Sequence, residues 1–321
     1  MLETKLFRHI QRISARSGQA VFLTCFRNEV LLKNNIFDTA LLFEGGGMRV
    51  AHSAGVTNAM LECELYFDYV CGISAGSSNA VNYLLRDRDR TKRSFVDFVD
   101  MDDVIGVRHW LKGEGYFAAE YLYGAASLPG GPLYFDFARF QENPAELRIG
   151  AFDCETGETV YWKRDDIETV DDLLRMVRCS STIPLMMPKA KFRGRTYADG
   201  GIKSSVPLDI ALRDGYKKFF IVLTREKGYR KKPMRTQRLL DRKFKDEPVL
   251  ADSLNQRWQN YNKQMEQIEQ LETEGKALVV RPEHMRIRST TANRVKLEES
   301  YCDGYRLAMR QMDAWKTFLY R

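Results

Sequence analysis

Gly72-Ile73-Ser74-Ala75-Gly76 decides the fold. It is a G-x-S-x-G segment set between two regular elements. The apolar run Tyr66 to Ile73 reads as a strand, and Asn79 to Leu85 reads as helix. Strand, tight turn and helix in that order make the setting of a nucleophile elbow, which projects a serine hydroxyl away from the backbone. Gly72 and Gly76 leave room where such a turn crowds the neighbouring chain. The helix starting just after Ser74 adds free amides and a positive dipole end where an oxyanion would form. Upstream, the strand-like run Thr39 to Phe43 leads into Gly45-Gly46-Gly47. A bare glycine turn exposes successive backbone N–H groups, which bind anions. A nucleophile and a nest of donors are two of the three parts of an acyl-transfer site.

The third part is a base for the Ser74 proton. The chain has four histidines. His9 lies in a basic lead-in, His109 sits beside Trp110 in a loop-like stretch, and His52 is early in the helix after the glycine loop. His284 follows a late strand, roughly where an α/β-hydrolase carries its histidine, but no Asp-then-His order frames it. Asp199, in Tyr197-Ala198-Asp199-Gly200-Gly201, is the better candidate. A carboxylate can act directly on serine when burial raises its pKa toward the working range. Taken alone, Asp-Gly-Gly reads as an ordinary turn.

The central chain alternates strand and helix signals. Strands are expected at Ala40 to Phe43, Tyr69 to Ile73, Leu147 to Phe152, Val160 to Lys163, Phe219 to Thr224 and Ala277 to Val280. Helices are expected at Ala51 to Glu64, Ser77 to Leu85, Val170 to Cys179 and Pro207 to Asp214, with a further one around Leu6 to Ile13 in the lead-in. Such alternation implies an α/β fold with a mostly parallel sheet covered on both faces. Leu254, Trp258, Tyr261, Met265 and Ile268 recur at steps of four and three, which places them on one face of a long helix closed by Gly275. Tyr301, Tyr305, Ala308, Met312, Trp315 and Leu319 repeat the rhythm. These stripes read as faces packed on the sheet, with a lipid- or partner-binding face as the functional alternative.

At 321 residues the chain has room for one large domain or two ordinary ones, and its 44% hydrophobic content supports a sizeable core. No apolar run approaches the roughly 20 residues of a membrane span. Ala20 to Phe26 is too short and too late for a signal peptide. The six cysteines are scattered without a C-x-x-C and read as reduced core thiols. The net charge of +7 concentrates in Arg225 to Lys245, where ten Lys and Arg face only Glu226 and Asp241 before Lys245. That stretch reads as a solvated loop or as a contact for an anionic membrane surface. With only Tyr229 and Phe244 interleaved, no nucleic-acid partner is expected.

Four blocks together resemble the patatin-like phospholipases. They are Glu44-Gly45-Gly46-Gly47-Met48-Arg49 continuing through Ala54-Gly55-Val56; Gly72 to Ser77; Ser180-Ser181-Thr182-Ile183-Pro184 ending in Met187-Pro188; and Asp199-Gly200-Gly201 with Val206-Pro207. They fall in the family's order between Thr39 and Leu223. The resemblance implies a three-layer α/β/α fold with C-terminal helices added, and a catalytic Ser74–Asp199 dyad acting on a lipid or fatty acyl ester. It implies an oxyanion hole from Gly45, Gly46, Gly47 and Met48, chiefly Gly46 and Gly47, supported by Ala75, Arg49 and Gly200, with no metal or other cofactor. Two positions depart from the pattern: Val50 stands where many members have glycine, and Ser205 near where many have asparagine. The implied organisation is a lead-in at 1–38, a catalytic domain at 39–224, and a basic linker with a helical and strand extension at 225–321. The cytoplasm, or the inner membrane face, is the expected location. A transacylase would use the same residues, and a non-catalytic lipid- or anion-binding module would use the same fold. A nucleotide phosphate loop is disfavoured, because the glycine loop lacks both the G-K-[ST] ending and the G-x-G-x-x-G spacing.

Overall fold

The computed structural model describes residues 32–101, 104–106, 115–233 and 237–321. His9, Cys25, His109 and the expected lead-in helix lie outside them. Strands β1 (Thr39–Phe43), β2 (Tyr69–Ile73), β3 (Glu146–Asp153), β4 (Thr159–Lys163), β5 (Ala190–Phe192), β6 (Arg195–Asp199), β7 (Lys218–Val222) and β8 (Ala277–Val280) form one sheet. Its centre is parallel: β3, β2, β1, β7 and β8 run side by side in one direction. β4 and β6 join β3 antiparallel, and β5 pairs with β6. β1 and β2 are buried along their whole length, as their unbroken apolar runs require of central strands.

The helices are α1 (Val50–Glu62), α2 (Ala75–Leu85), α3 (Arg88–Phe95), α4 (Ala119–Leu122), α5 (Phe137–Glu142), α6 (Val170–Ser181), α7 (Leu208–Arg213), α8 (Gln237–Lys243), α9 (Pro248–Thr273) and α10 (Arg294–Leu319). Side chains alternate across a strand, so Leu41 and Phe43 enter one core and Ala40 and Leu42 the other. The first core takes α1, α2, α6 and α10; the second takes α7 and α9. This is a three-layer α/β/α arrangement with additional C-terminal helices. Both apolar stripes pack inward: Tyr261, Met265 and Ile268 of α9 lie in the second core, and Ala308, Met312 and Trp315 of α10 in the first. α10 crosses α1 closely because the contact is made by two glycines. A Cβ on Gly55 would lie 2.0 Å from Tyr301 O, and one on Gly304 2.0 Å from His52 O.

Several elements lack a periodic signal. α3, Arg-Asp-Arg-Thr-Lys-Arg-Ser-Phe, is nearly all polar; it is held by Asp87, whose side chain caps Arg90 N, and by burial of Arg90, Thr91 and Phe95. α8 falls inside the basic stretch, where Leu240 and Phe244 anchor it beneath Leu250 and Leu254. β5 and β6 are short and joined by Arg193-Gly194, both at positive φ (46° and 80°). That geometry is a two-residue type I′ hairpin turn. No helix among the described residues is long and apolar enough to cross a membrane.

Candidate active site

The pairing along β3 brings Ser74 and Asp199 together. β4 covers one edge of β3 from Arg148 to Phe152, so β2 and β6 must share the other edge. On that shared edge Ile73 sits opposite Gly150, and Asp199 opposite Ala151. The two strands therefore meet end to end, one finishing at the nucleophile and the other at the acid. Gly200 occupies the junction, where a Cβ would stand 2.5 Å from Gly150 O and 3.0 Å from Ile73 Cγ2. No other residue type fits there without a shift.

Ser74 adopts φ 58° and ψ −136°, an unusual conformation for a non-glycine residue and the strained turn expected of an elbow. The surroundings hold it there. Ser74 N donates to Ser180 Oγ at 2.8 Å, and that hydroxyl donates to Gly150 O at 2.6 Å. Ser77 returns two bonds to Ser74 O, from N at 2.8 Å and from Oγ at 2.7 Å. Gly72 and Gly76 are needed because a Cβ on Gly72 would lie 2.4 Å from Gly76 O, and one on Gly76 2.5 Å from Phe43 O.

Ser74 Oγ donates to Asp199 Oδ2 at 2.5 Å, and Gly201 N donates to Asp199 Oδ1 at 2.7 Å. Both side chains are enclosed, Ser74 at 4% and Asp199 at 5% exposure. Burial pushes the Asp199 pKa up. The Arg257 guanidinium, the Ser74 hydroxyl, the Gly201 amide and Lys231 oppose that rise. Arg257, on α9, donates from Nε to Gly201 O at 2.7 Å. The space beside the Gly201 Cα is faced by Asp199 Oδ1, Arg257 Nη2 and Ser205 Oγ, at 2.9, 3.5 and 3.8 Å from the Cβ position. Lys231 donates from Nζ to Ser205 Oγ at 2.9 Å and lies over the Tyr261 ring at 3.9 Å. Burial, together with the charges of Arg257 and Arg49, pushes its pKa well below the usual lysine range.

The glycine loop lies against the elbow, with the Gly45 Cβ position 2.8 Å from Ser74 Cβ. Its four amides divide in two. Gly45 N donates to Ser205 O at 3.0 Å and Met48 N to Ser289 O at 3.1 Å. Among the described residues no hydrogen bond engages the amides of Gly46, Gly47 or Ala75. The free donors thus narrow to Gly46 and Gly47, with Ala75 at the start of α2. Glu44 fastens the loop by accepting from Thr224 N at 2.5 Å and Thr224 Oγ1 at 3.0 Å. Arg49 stands near Arg225, Glu44, Tyr229 and Tyr261, where burial brings its pKa down to about 10, and its Nε has no hydrogen-bond partner among the described residues. It does not line the cavity into which Ser74 opens. Gly47, Met48, Ala75, Leu174 and Val177 do, and the cavity's empty volume, counting its mouth, is about 930 Å³.

Sequence reasoning missed Ser180, Arg257 and Lys231 as supports of the dyad. Lys231 sits in the basic stretch read as a loop or membrane contact, yet it turns inward, and Arg230 pairs with Glu269 at 2.6 Å. Lys227, Lys232, Arg242, Lys243 and Lys245 remain exposed. His284 lies with His52 in a separate depression, lined also by Glu283 and Asp303 but by neither Ser74 nor Asp199.

Known proteins resemble the chain in two portions. A family model described as patatin-like phospholipase matches residues 41–212, and one described as a domain of unknown function matches residues 247–320. The uncharacterized protein YjjU of Escherichia coli K12 is 23% identical over 196 residues, 58% of this chain and 51% of that protein. The chain thus spans about half the length of that curated relative. The crystal structure of VipD from Legionella pneumophila has the same fold, with a TM-score of 0.50 at 13% identity over 86% of this chain and 67% of that one. The first of these matches takes in the glycine loop, the nucleophile elbow and the aspartate, and by it the chain belongs to the patatin-like phospholipase family.

Proposed function

We propose that the protein is a serine lipid acyl hydrolase that cleaves carboxylic esters through a Ser74–Asp199 dyad. The observation that carries this reading is the 2.5 Å hydrogen bond between the two side chains, enclosed and beside an apolar cavity. Ser74 Oγ attacks the ester carbonyl carbon while its proton passes to Asp199 Oδ2. The charge that develops on the carbonyl oxygen is taken by the amides of Gly46 and Gly47, each worth about 2.7–4 kcal/mol in the barrier. Collapse breaks the bond to the alcohol, which leaves with the proton from Asp199. Water then gives a proton to Asp199 and attacks the acyl-enzyme, and Ser74 departs with that proton.

A panel of lipid esters, assayed with the wild type, Ser74→Ala and Asp199→Asn, tests the reading. Each variant should lose at least about 10³-fold in kcat, since members of one catalytic unit fail together. A fluorophosphonate probe should label the wild type and not Ser74→Ala. Undiminished turnover by Ser74→Ala would overturn the mechanism, and absent turnover with absent labelling would leave a binding module. The exposed Lys227, Lys232, Arg242, Lys243 and Lys245 would supply a contact with anionic membrane, expected as salt-sensitive flotation with phosphatidylserine vesicles that neutral vesicles do not support.

A further inference from the structure

Helix α2 forms one wall of the cavity at Ser74. Ser74, Ser78 and Asn82 stand at i, i+4 and i+8, so they share one face, and all three line the cavity. At 1.5 Å rise per residue, Asn82 lies about 12 Å beyond Ser74 along the helix axis. Much of the wall is apolar, with Phe95, Phe98, Phe117, Leu133 and Phe135 among its residues.

The Asn82 end carries a full charge. Arg90 of α3 is 5% exposed and lines the same cavity. Its Nη1 donates to Asn82 Oδ1, its Nε donates to Leu133 O and Tyr134 O at 3.1 Å each, and its guanidinium carbon lies 4.8 Å from the Phe135 ring centroid. None of these partners is anionic, and among the described residues no carboxylate lies within ion-pair distance. Asp87 directs its carboxylate to the Arg90 backbone N, at 2.8 Å. Burial brings the Arg90 pKa down to about 10 with the nearby Asp87 charge opposing, so the group is still charged at neutral pH. Asn82 is 1% exposed, and among the described residues neither its Nδ2 nor the Ser94 Oγ on the same lining has a hydrogen-bond partner.

Holding the 133–134 segment explains the Nε bonds of Arg90. It does not explain a cation without an ion-paired carboxylate, beside an amide with no partner among the described residues, on the wall of an apolar cavity. Burying such a charge is costly unless an anion joins it. Guanidinium is the side chain best matched to a carboxylate.

We propose that the acyl pocket selects a chain ending in a carboxylate roughly ten carbons from the ester, its far end held by Arg90 and Asn82. The length follows from the 12 Å span and an extended-chain advance of roughly 1.2 Å per bond. The proposal rests on the hydrolase reading above.

The test compares two monomeric chromogenic esters of equal length: p-nitrophenyl decanoate and the mono-p-nitrophenyl ester of decanedioic acid. With the wild type the decanedioate ester should show kcat/KM higher by at least about tenfold, the effect of one charge-assisted hydrogen bond. Arg90→Met should abolish that preference, while Arg90→Lys should keep part of it. The ratio of the two esters does not depend on the fraction folded, so a poorly folding variant still reports. Equal or faster turnover of the decanoate ester by the wild type overturns the proposal and leaves the hydrolase reading standing. Turnover of neither ester, with Ser74 unlabelled by fluorophosphonate, overturns both.

Discussion

At the scale of single residues, Ser74 is held through its backbone as much as through its hydroxyl. The Ser74 amide ends on Ser180 Oγ, and that hydroxyl ends on Gly150 O, so Ser180 ties α6, β2 and β3 together at one atom. Ser180→Ala leaves a buried N–H and a buried carbonyl without partners. It should lower unfolding free energy by about 1–3 kcal/mol, read by urea titration. It should also reduce kcat more than it raises KM, because an elbow released from its strained φ no longer points Oγ at the reacting carbon. Ser180 stood in a block that resembles the family's small-residue segment. Nothing in the sequence says which of Ser180, Ser181 and Thr182 faces Ser74, since that depends on the rotation of α6 against the sheet.

At the scale of elements, α9 reaches the site from the far side of the sheet. Its Arg257 bonds Gly201 O, and Gly201 N in turn bonds Asp199. In the proposed mechanism Asp199 takes the serine proton as the anion; burial favours its neutral form, and Arg257 is the largest opposing influence, with Lys231 adding to it. Removing the cation raises the Asp199 pKa further. Arg257→Met should therefore move the acid limb of the kcat/KM profile to higher pH, and Arg257→Lys should restore it. A limb that stays in place in Arg257→Met would restrict the residue to packing. The central strands and the two long helices were legible because their apolar periods are unbroken. α3, α8 and the β5–β6 hairpin were not, because a charged helix held by one cap, a basic helix held by Leu240 and Phe244, and strands of three and five residues leave no period to read. Arg257 was hidden for a related reason. An arginine on the polar side of an amphipathic stripe looks solvated until the helix is docked.

For the whole molecule, the segment at residues 247–320, which matches a domain of unknown function, is continuous with the layers that carry Ser74 and Asp199. β8 extends the sheet beside β7, and α10 lies against α1, directly after the glycine loop. His52 sits at that crossing, 2% exposed, its Nδ1 without a partner among the described residues, in a depression it shares with Glu283, His284, Arg286, Asp303, Arg306 and Arg310. Burial lowers its pKa to about 4, with Glu283 opposing. The folded state thus favours neutral imidazole, while the unfolded chain protonates near 6.5. Stability from this group is full above that value and falls as pH drops toward 4, by a total on the order of 3 kcal/mol. Thermal melts from pH 7 to 4 should show the loss, and His52→Asn should flatten it.

The spacing of Ser74 and Asp199 depends on a hairpin whose turn touches neither of them. Arg193-Gly194 fixes how β6 pairs with β5, and β6 decides which side chain is opposite Ala151. Neighbouring strand residues point to opposite faces, so slippage by a single position would turn Asp199 away and present Ala198 or Gly200 to the serine. The same slip would turn Tyr197 away from Trp162 in the first core and bring a side chain into the Gly200 junction, so packing and the Ser74–Asp199 spacing would fail together. The residues that seat this strand in the core are therefore the ones that set the distance between the two side chains.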